Sequence, residues 1–90
     1  MRAVHRYIIE PGESTIELPY GCSTLQVAWS QMYDCASLWV EVDTEASMST
    51  FRYATVATGS RIPDSMLYAG SLETPDGLVF HLYIDPTEIL

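Results

Sequence analysis

Turn-forming residues recur along this chain at short, nearly even intervals: Pro11-Gly12, Pro19-Tyr20-Gly21, Thr58-Gly59, Pro63-Asp64, Pro75-Asp76-Gly77 and Asp85-Pro86. Proline presets φ for the second position of a turn, and glycine accepts positive φ. The stretches between these signals are brief and rich in β-branched and aromatic residues. The pattern reads as an all-β fold, a compact small β-sandwich or open barrel of about seven short, mainly antiparallel strands. Ninety residues support one domain, 1–90. No segment has the length and 3.6-residue period of an amphipathic helix, and no internal repeat or linker interrupts the chain.

The expected strands are Val4 to Ile9, Ser14 to Leu18, Thr24 to Ser30, Leu38 to Val42, Thr50 to Ala57, Leu67 to Leu72 and Leu78 to Ile84. Period-two alternation is clearest in four of them. In the second, Ile16 and Leu18 alternate with Thr15 and Glu17. In the third, Leu25, Val27 and Trp29 share one face. In the fourth, Leu38, Val40 and Val42 oppose Trp39 and Glu41. In the last, Leu78, Phe80, Leu82 and Ile84 oppose Val79, His81 and Tyr83. Thr74-Pro75-Asp76-Gly77 is the strongest hairpin signal, and Pro11-Gly12 suggests a second hairpin between the first two strands. Asp43 to Ser47 reads as a solvated loop. Asp64-Ser65-Met66 reads as one helical turn capped by Asp64.

Charge excludes several functions. Twelve acids against four bases give a net charge of −8, all four bases are arginine, and the chain holds no lysine. A general DNA-binding surface needs several phosphate neutralisers on one face, so DNA is not an expected partner. No apolar run approaches the roughly 18–20 residues of a membrane helix, and Met1-Arg2-Ala3-Val4 lacks the apolar core of a secretory signal. Cys22 and Cys35 match no zinc-ligand spacing; they read either as two small buried thiols in a reducing cytosol or as a disulfide closing a loop of about a dozen residues. No metal or cofactor is expected. Asp43 and Glu45 read as a solvated acidic pair.

Enzyme signatures are missing: no Walker loop, GxGxxG, HExxH or G-x-S-x-G elbow is present. His81, in a strand beside aromatics, reads as a half-buried histidine whose ring nitrogens are satisfied. The expectation is therefore a protein that is not an enzyme. The scarce arginines carry more information. Arg6, Arg52 and Arg61 either pair with neighbouring acids or recognise a phosphate or carboxylate on a ligand. The loop Thr58-Gly59-Ser60-Arg61-Ile62-Pro63 is the most ligand-like stretch, because it combines two hydroxyls, a flexible glycine and one cation. Tyr7, Tyr20, Trp39 and Tyr53 either stack on a base or pack in a core or interface. The generous aromatic supply of so small a chain suggests a homo-oligomer.

Phe51-Arg52-Tyr53-Ala54-Thr55-Val56-Ala57-Thr58-Gly59-Ser60-Arg61-Ile62-Pro63-Asp64 resembles a segment of a family of small tailed-phage proteins. In that family a strand opening with Phe-Arg runs into a Gly-Thr-Gly-His-x-Ile-Pro loop. Tyr68-Ala69-Gly70-Ser71-Leu72 and Gly77-Leu78-Val79-Phe80-His81-Leu82 are similar to its closing hairpin. Leu38-Trp39-Val40-Glu41-Val42-Asp43 and Ile16-Glu17-Leu18-Pro19-Tyr20-Gly21 look like its earlier strands. Ala57 replaces the loop's first glycine, and Ser60 stands where the family often has histidine.

The resemblance implies a phage-encoded accessory protein in the cytoplasm of an infected bacterium. Small phage β proteins of this kind include oligomeric sponges that sequester cyclic-nucleotide immune signals, as in evasion of CBASS or Thoeris defence. The implied mechanism is capture of a small anionic nucleotide in a pocket between subunits, without turnover. Arg61, Arg6 and Arg52 would meet phosphate. Thr58, Gly59 and Ser60 would form the cradle, and Tyr7 and Trp39 would stack on bases. Two other functions compete. One is an acidic protein that binds and masks a host protein, or a minor structural phage protein. The other is a small nucleotide hydrolase or lyase, which would need His81 paired with a carboxylate.

Overall fold

The computed structural model describes residues 1–85. Its strands are β1 (Arg2–Ile9), β2 (Glu13–Pro19), β3 (Ser23–Ser30), β4 (Cys35–Asp43), β5 (Met48–Ala57), β6 (Leu67–Glu73) and β7 (Val79–Ile84). They form two antiparallel sheets, one ordered β1-β4-β3 and the other β2-β5-β7-β6. The sheets stack face to face and do not close, so the fold is all-β and the architecture is a sandwich, not a barrel. Its core is the inward stripe of both layers, including Ile9, Leu18, Val27, Leu38, Val40, Val42, Phe51, Tyr53, Leu82 and Ile84.

Alternation explains most of that stripe. Leu38, Val40 and Val42 are buried, while Trp39 and Glu41 of the same strand lie on the outer face and are half-covered. Two expectations about facing fail. The β3–β4 register slips between Thr24 and Gln26, and this bulge leaves Leu25 exposed instead of beside Val27. Leu78 is exposed because β7 begins one residue later. The Leu78 carbonyl and N–H are both tied to Thr74, which closes the turn.

The hairpin expected at Thr74–Gly77 joins β6 to β7. The one expected at Pro11-Gly12 does not exist. β1 pairs with β4 and β2 with β5, so Glu10–Gly12 crosses from one sheet to the other. Tyr53 secures this crossing from the core. Its hydroxyl donates to the Glu10 carbonyl and accepts from the Glu10 N–H, both at 3.2 Å. Gly12 continues the β5 ladder, its carbonyl accepting from the Thr55 N–H at 3.0 Å.

β5 and β6 both run antiparallel to β7 and therefore parallel to each other. The connection between them must travel back along the outer face of the sheet. Residues 58–66 make that return. Ala54 and Val56 point outward from β5 yet are buried, in a small second cluster with Met66 and the half-buried Tyr83. The expected helical turn at Asp64 is instead a tight turn with Ser65 at φ +65°, outside helical geometry. Asp43 ends β4, and Thr44–Ser47 forms the acidic, largely exposed turn that follows.

Candidate functional site

The return segment places the ligand-like loop against β7. Ala57 to Ser60 closes a turn through a hydrogen bond from the Ser60 N–H to the Ala57 carbonyl at 3.0 Å. Gly59 occupies the third position with φ +91°, where a type II turn takes glycine. The Thr58 hydroxyl then lies 3.3 Å from His81 Nε2. His81 Nδ1 lies 2.7 Å from the Ser71 hydroxyl, which in turn is 2.7 Å from the Tyr68 hydroxyl. A row of four polar side chains thus runs across β7 and β6, with Tyr68 set edge-on to Tyr83 at 5.7 Å.

Two clefts flank the loop. One, of about 250 Å³, is lined by Val56, Thr58, Ser60, Ile62, His81 and Tyr83. The other, of about 360 Å³, lies along β5 and is lined by Gly12, Glu13, Thr55, Ser60, Arg61 and Phe80. A larger groove of about 500 Å³ runs between β3 and β6 beside Trp29. Its only charged lining residue is Glu73, so its chemistry does not suit an anion. The loop clefts combine hydroxyls, an imidazole, an aromatic face and a guanidinium. Both ring nitrogens of His81 face hydroxyls and neither faces a carboxylate.

The residues singled out from the sequence fall into separate places. Thr58, Gly59, Ser60 and Arg61 stay together on the loop. Arg61 is highly exposed and 3.7 Å from Asp64 of the same loop. Arg52 is on the outer face of the same sheet, opposite Thr15. Arg6 and Trp39 are direct cross-strand neighbours on the outer face of the other sheet. There Arg6 donates to the Ser37 hydroxyl at 2.8 Å and stacks over Tyr33 at 4.0 Å. Tyr7 faces inward against the core, where burial raises its pKa. A single protomer therefore does not bring Arg6, Arg52 and Arg61 into one pocket.

Sequence reasoning missed Ser71, Tyr68 and Tyr33. Ser71 was within reach, since folding the chain about Thr74–Gly77 sets it opposite His81; Tyr68 comes opposite Tyr83 only through the register break between Tyr68 and Gly70. Tyr33 carried no periodic signal because it lies in the β3–β4 turn. The acidic pair Asp43 and Glu45 flanks the amino group of Met1, at 3.4 and 3.7 Å. The Glu45 N–H, and then the Met1 ammonium, hold the Asp43 carboxyl below its ordinary range. Cys22 and Cys35 are free thiols, and burial raises the pKa of Cys22.

Residues 1–89 match the family described as a domain of unknown function, DUF7352. The chain belongs to that family. Neither a curated protein nor a solved structure matches it. The DUF7352 match takes in every strand of both sheets and the whole Thr58–Pro63 loop.

Proposed function

We propose that this DUF7352 chain is a binding protein that captures a small anionic ligand of the nucleotide class and releases it unchanged. The carrying observation is the loop Thr58–Arg61, pinned to β7 through Thr58 and His81 and open on both sides. Hydroxyls, a guanidinium and the Tyr83 face are the groups that phosphate, ribose and base require. The tailed-phage resemblance supports the setting: an accessory protein in the infected bacterium's cytoplasm that sequesters a cyclic-nucleotide immune signal between subunits. The charge of −8 opposes an anion at long range, but screening removes most of that repulsion beyond about 8–10 Å.

The test is melting temperature in the presence of cyclic di- and trinucleotides and cyclic ADP-ribose isomers. A ligand at 100 times its Kd adds about 2.7 kcal/mol. Intact ligand is recovered after denaturation, and Arg61→Ala removes the shift. No shift with any of these nucleotides, or recovery of a cleaved product, overturns the reading.

A second reading, an acidic protein that masks a host protein or serves as a minor structural phage protein, draws on a different observation. Val4, Ile8, Met32 and Tyr33 are exposed around Arg6 on the β1-β4-β3 sheet and its adjoining turn. Retention of an unlabelled host protein by the chain, with no nucleotide shift, favours this reading.

A further inference from the structure

We infer that two copies of this chain join through their open sandwich edge, β1 of each pairing antiparallel with β2 of the other. The inference does not rest on the ligand reading.

Each sheet has two edge strands, and the four edges are not alike. β3 and β6 both carry a register break and lie against each other on one side of the sandwich. There Gly70 approaches Val27 so closely that a Cβ would stand 2.7 Å from Val27 Cγ2. β1 and β2 are left on the opposite side. Their registers with β4 and β5 run unbroken, and each offers a free row of backbone groups. Edges of this kind are templates for another strand unless bulges, prolines or inward charges block them. β1 contains no proline and no bulge, and the single proline of β2 is its last residue, Pro19.

Charge selects the partner. β1 holds two of the four arginines, Arg2 and Arg6, and no acid. β2 holds Glu13 and Glu17 and no base. Both pairs are four residues apart. A single antiparallel register sets Arg2 opposite Glu17 and Arg6 opposite Glu13, with Val4 opposite Thr15. Pairing β1 with its own copy brings no carboxylate to either arginine, and pairing β2 with its own copy brings no cation to either glutamate.

Backbone phase is an independent condition, and the same register meets it. The Met1 carbonyl accepts from the Thr44 N–H, so odd-numbered residues of β1 direct their backbone groups to β4. Arg2, Val4, Arg6 and Ile8 therefore direct theirs to the free edge. The Gly12 carbonyl accepts from the Thr55 N–H, so even-numbered residues of β2 face β5. Glu13, Thr15 and Glu17 face the free edge. The residues that the charges match are thus the residues whose hydrogen-bonding groups are available. On the inner face the register sets Ala3 beside Ile16, both only partly covered in the single chain.

β1 and β2 belong to different sheets and run in opposite directions on either side of a short crossing. The two seams are therefore equivalent, β1 of each copy meeting β2 of the other. Each sheet then continues into the other sheet of the second copy. Arg6 of one copy stands across from Glu13 of the other, and Glu13 lines the cleft that holds Ser60 and Arg61.

The test is molar mass in solution by light scattering and sedimentation across a concentration series, without any nucleotide. The expected mass is twice the 10.1 kDa of one chain. Arg6→Glu or Glu13→Arg places like charges in both seams and weakens the dimer about tenfold or more. The double variant Arg6→Glu/Glu13→Arg restores it. Thr15→Pro removes one outward N–H from β2, leaves the β5 ladder intact and also weakens the dimer; circular dichroism checks that each variant folds. A monomer at all concentrations overturns the inference. So does a dimer that both single reversals and Thr15→Pro leave unchanged, or one that Arg6→Glu tightens, which marks a β1–β1 seam.

Discussion

Gly70 and Val27 hold the two sheets of the sandwich together where β6 passes β3. A Cβ built on Gly70 meets Val27 Cγ2 at 2.7 Å and Val27 Cβ at 3.1 Å, and the glycine sits at φ +155°. Gly70→Ala therefore combines overpacking with an unfavourable backbone and costs about 1–3 kcal/mol. For a domain of this size each kcal/mol lowers Tm by roughly 4–8 °C. Part of the loss is recovered when Val27→Ala is added, because the clash is pairwise. Strictly additive single and double variants in urea titrations would show that the contact is not the cause.

Tyr53 ties the core to the Glu10–Gly12 crossing through two hydrogen bonds from one buried hydroxyl. Tyr53→Phe keeps the ring and removes both bonds. The expected cost is roughly 1–2 kcal/mol, and amide exchange at Glu10 should quicken more than exchange within β4. Equal exchange at Glu10 in both proteins contradicts this role.

Ser71 holds His81 Nδ1 through a hydrogen bond of 2.7 Å. Ser71→Ala should cost about 1 kcal/mol and change the ring-nitrogen chemical shifts of His81 as its tautomer balance moves. Unaltered His81 nitrogen shifts would be decisive against the row acting as a unit.

Burial raises the pKa of both Cys22 and Tyr7 in the folded chain. Each group ionises more easily once unfolded. Their contribution to stability is complete below the unfolded values and is lost as pH rises through the folded ones. Urea midpoints should therefore decline from about pH 8.5 upward, first through the thiol and then through the phenol. Cys22→Ala should flatten the earlier part of that decline. Identical slopes in the two proteins would exclude Cys22 as its source. An alkylating reagent should modify half-buried Cys35 well before Cys22, which waits for unfolding.

Much of the architecture was legible because two-residue periodicity survives in β4 and β7, whose inward residues Leu38, Val40, Leu82 and Ile84 are all buried. Leu25 defeats the same logic, since one extra residue in β3 reverses the facing of everything before it. Pro11-Gly12 was misread because the same turn chemistry serves a hairpin and a crossing between sheets; which one forms depends on β4 and β5, far along the chain. The loop Thr58–Arg61 stood out by composition, but its neighbours did not. His81 and Ser71 reach it only because β5 and β6 are parallel, a property of strand order that no local pattern carries.

That crossing also governs how the molecule is made. β1, β2 and β3 share no ladder with one another, and their partners β4 and β5 begin at Cys35 and Met48. During synthesis the first thirty residues emerge as bare strands and wait for the ribosome to deliver the middle of the protein. Only then can both layers zip, nearly together, around strands supplied late.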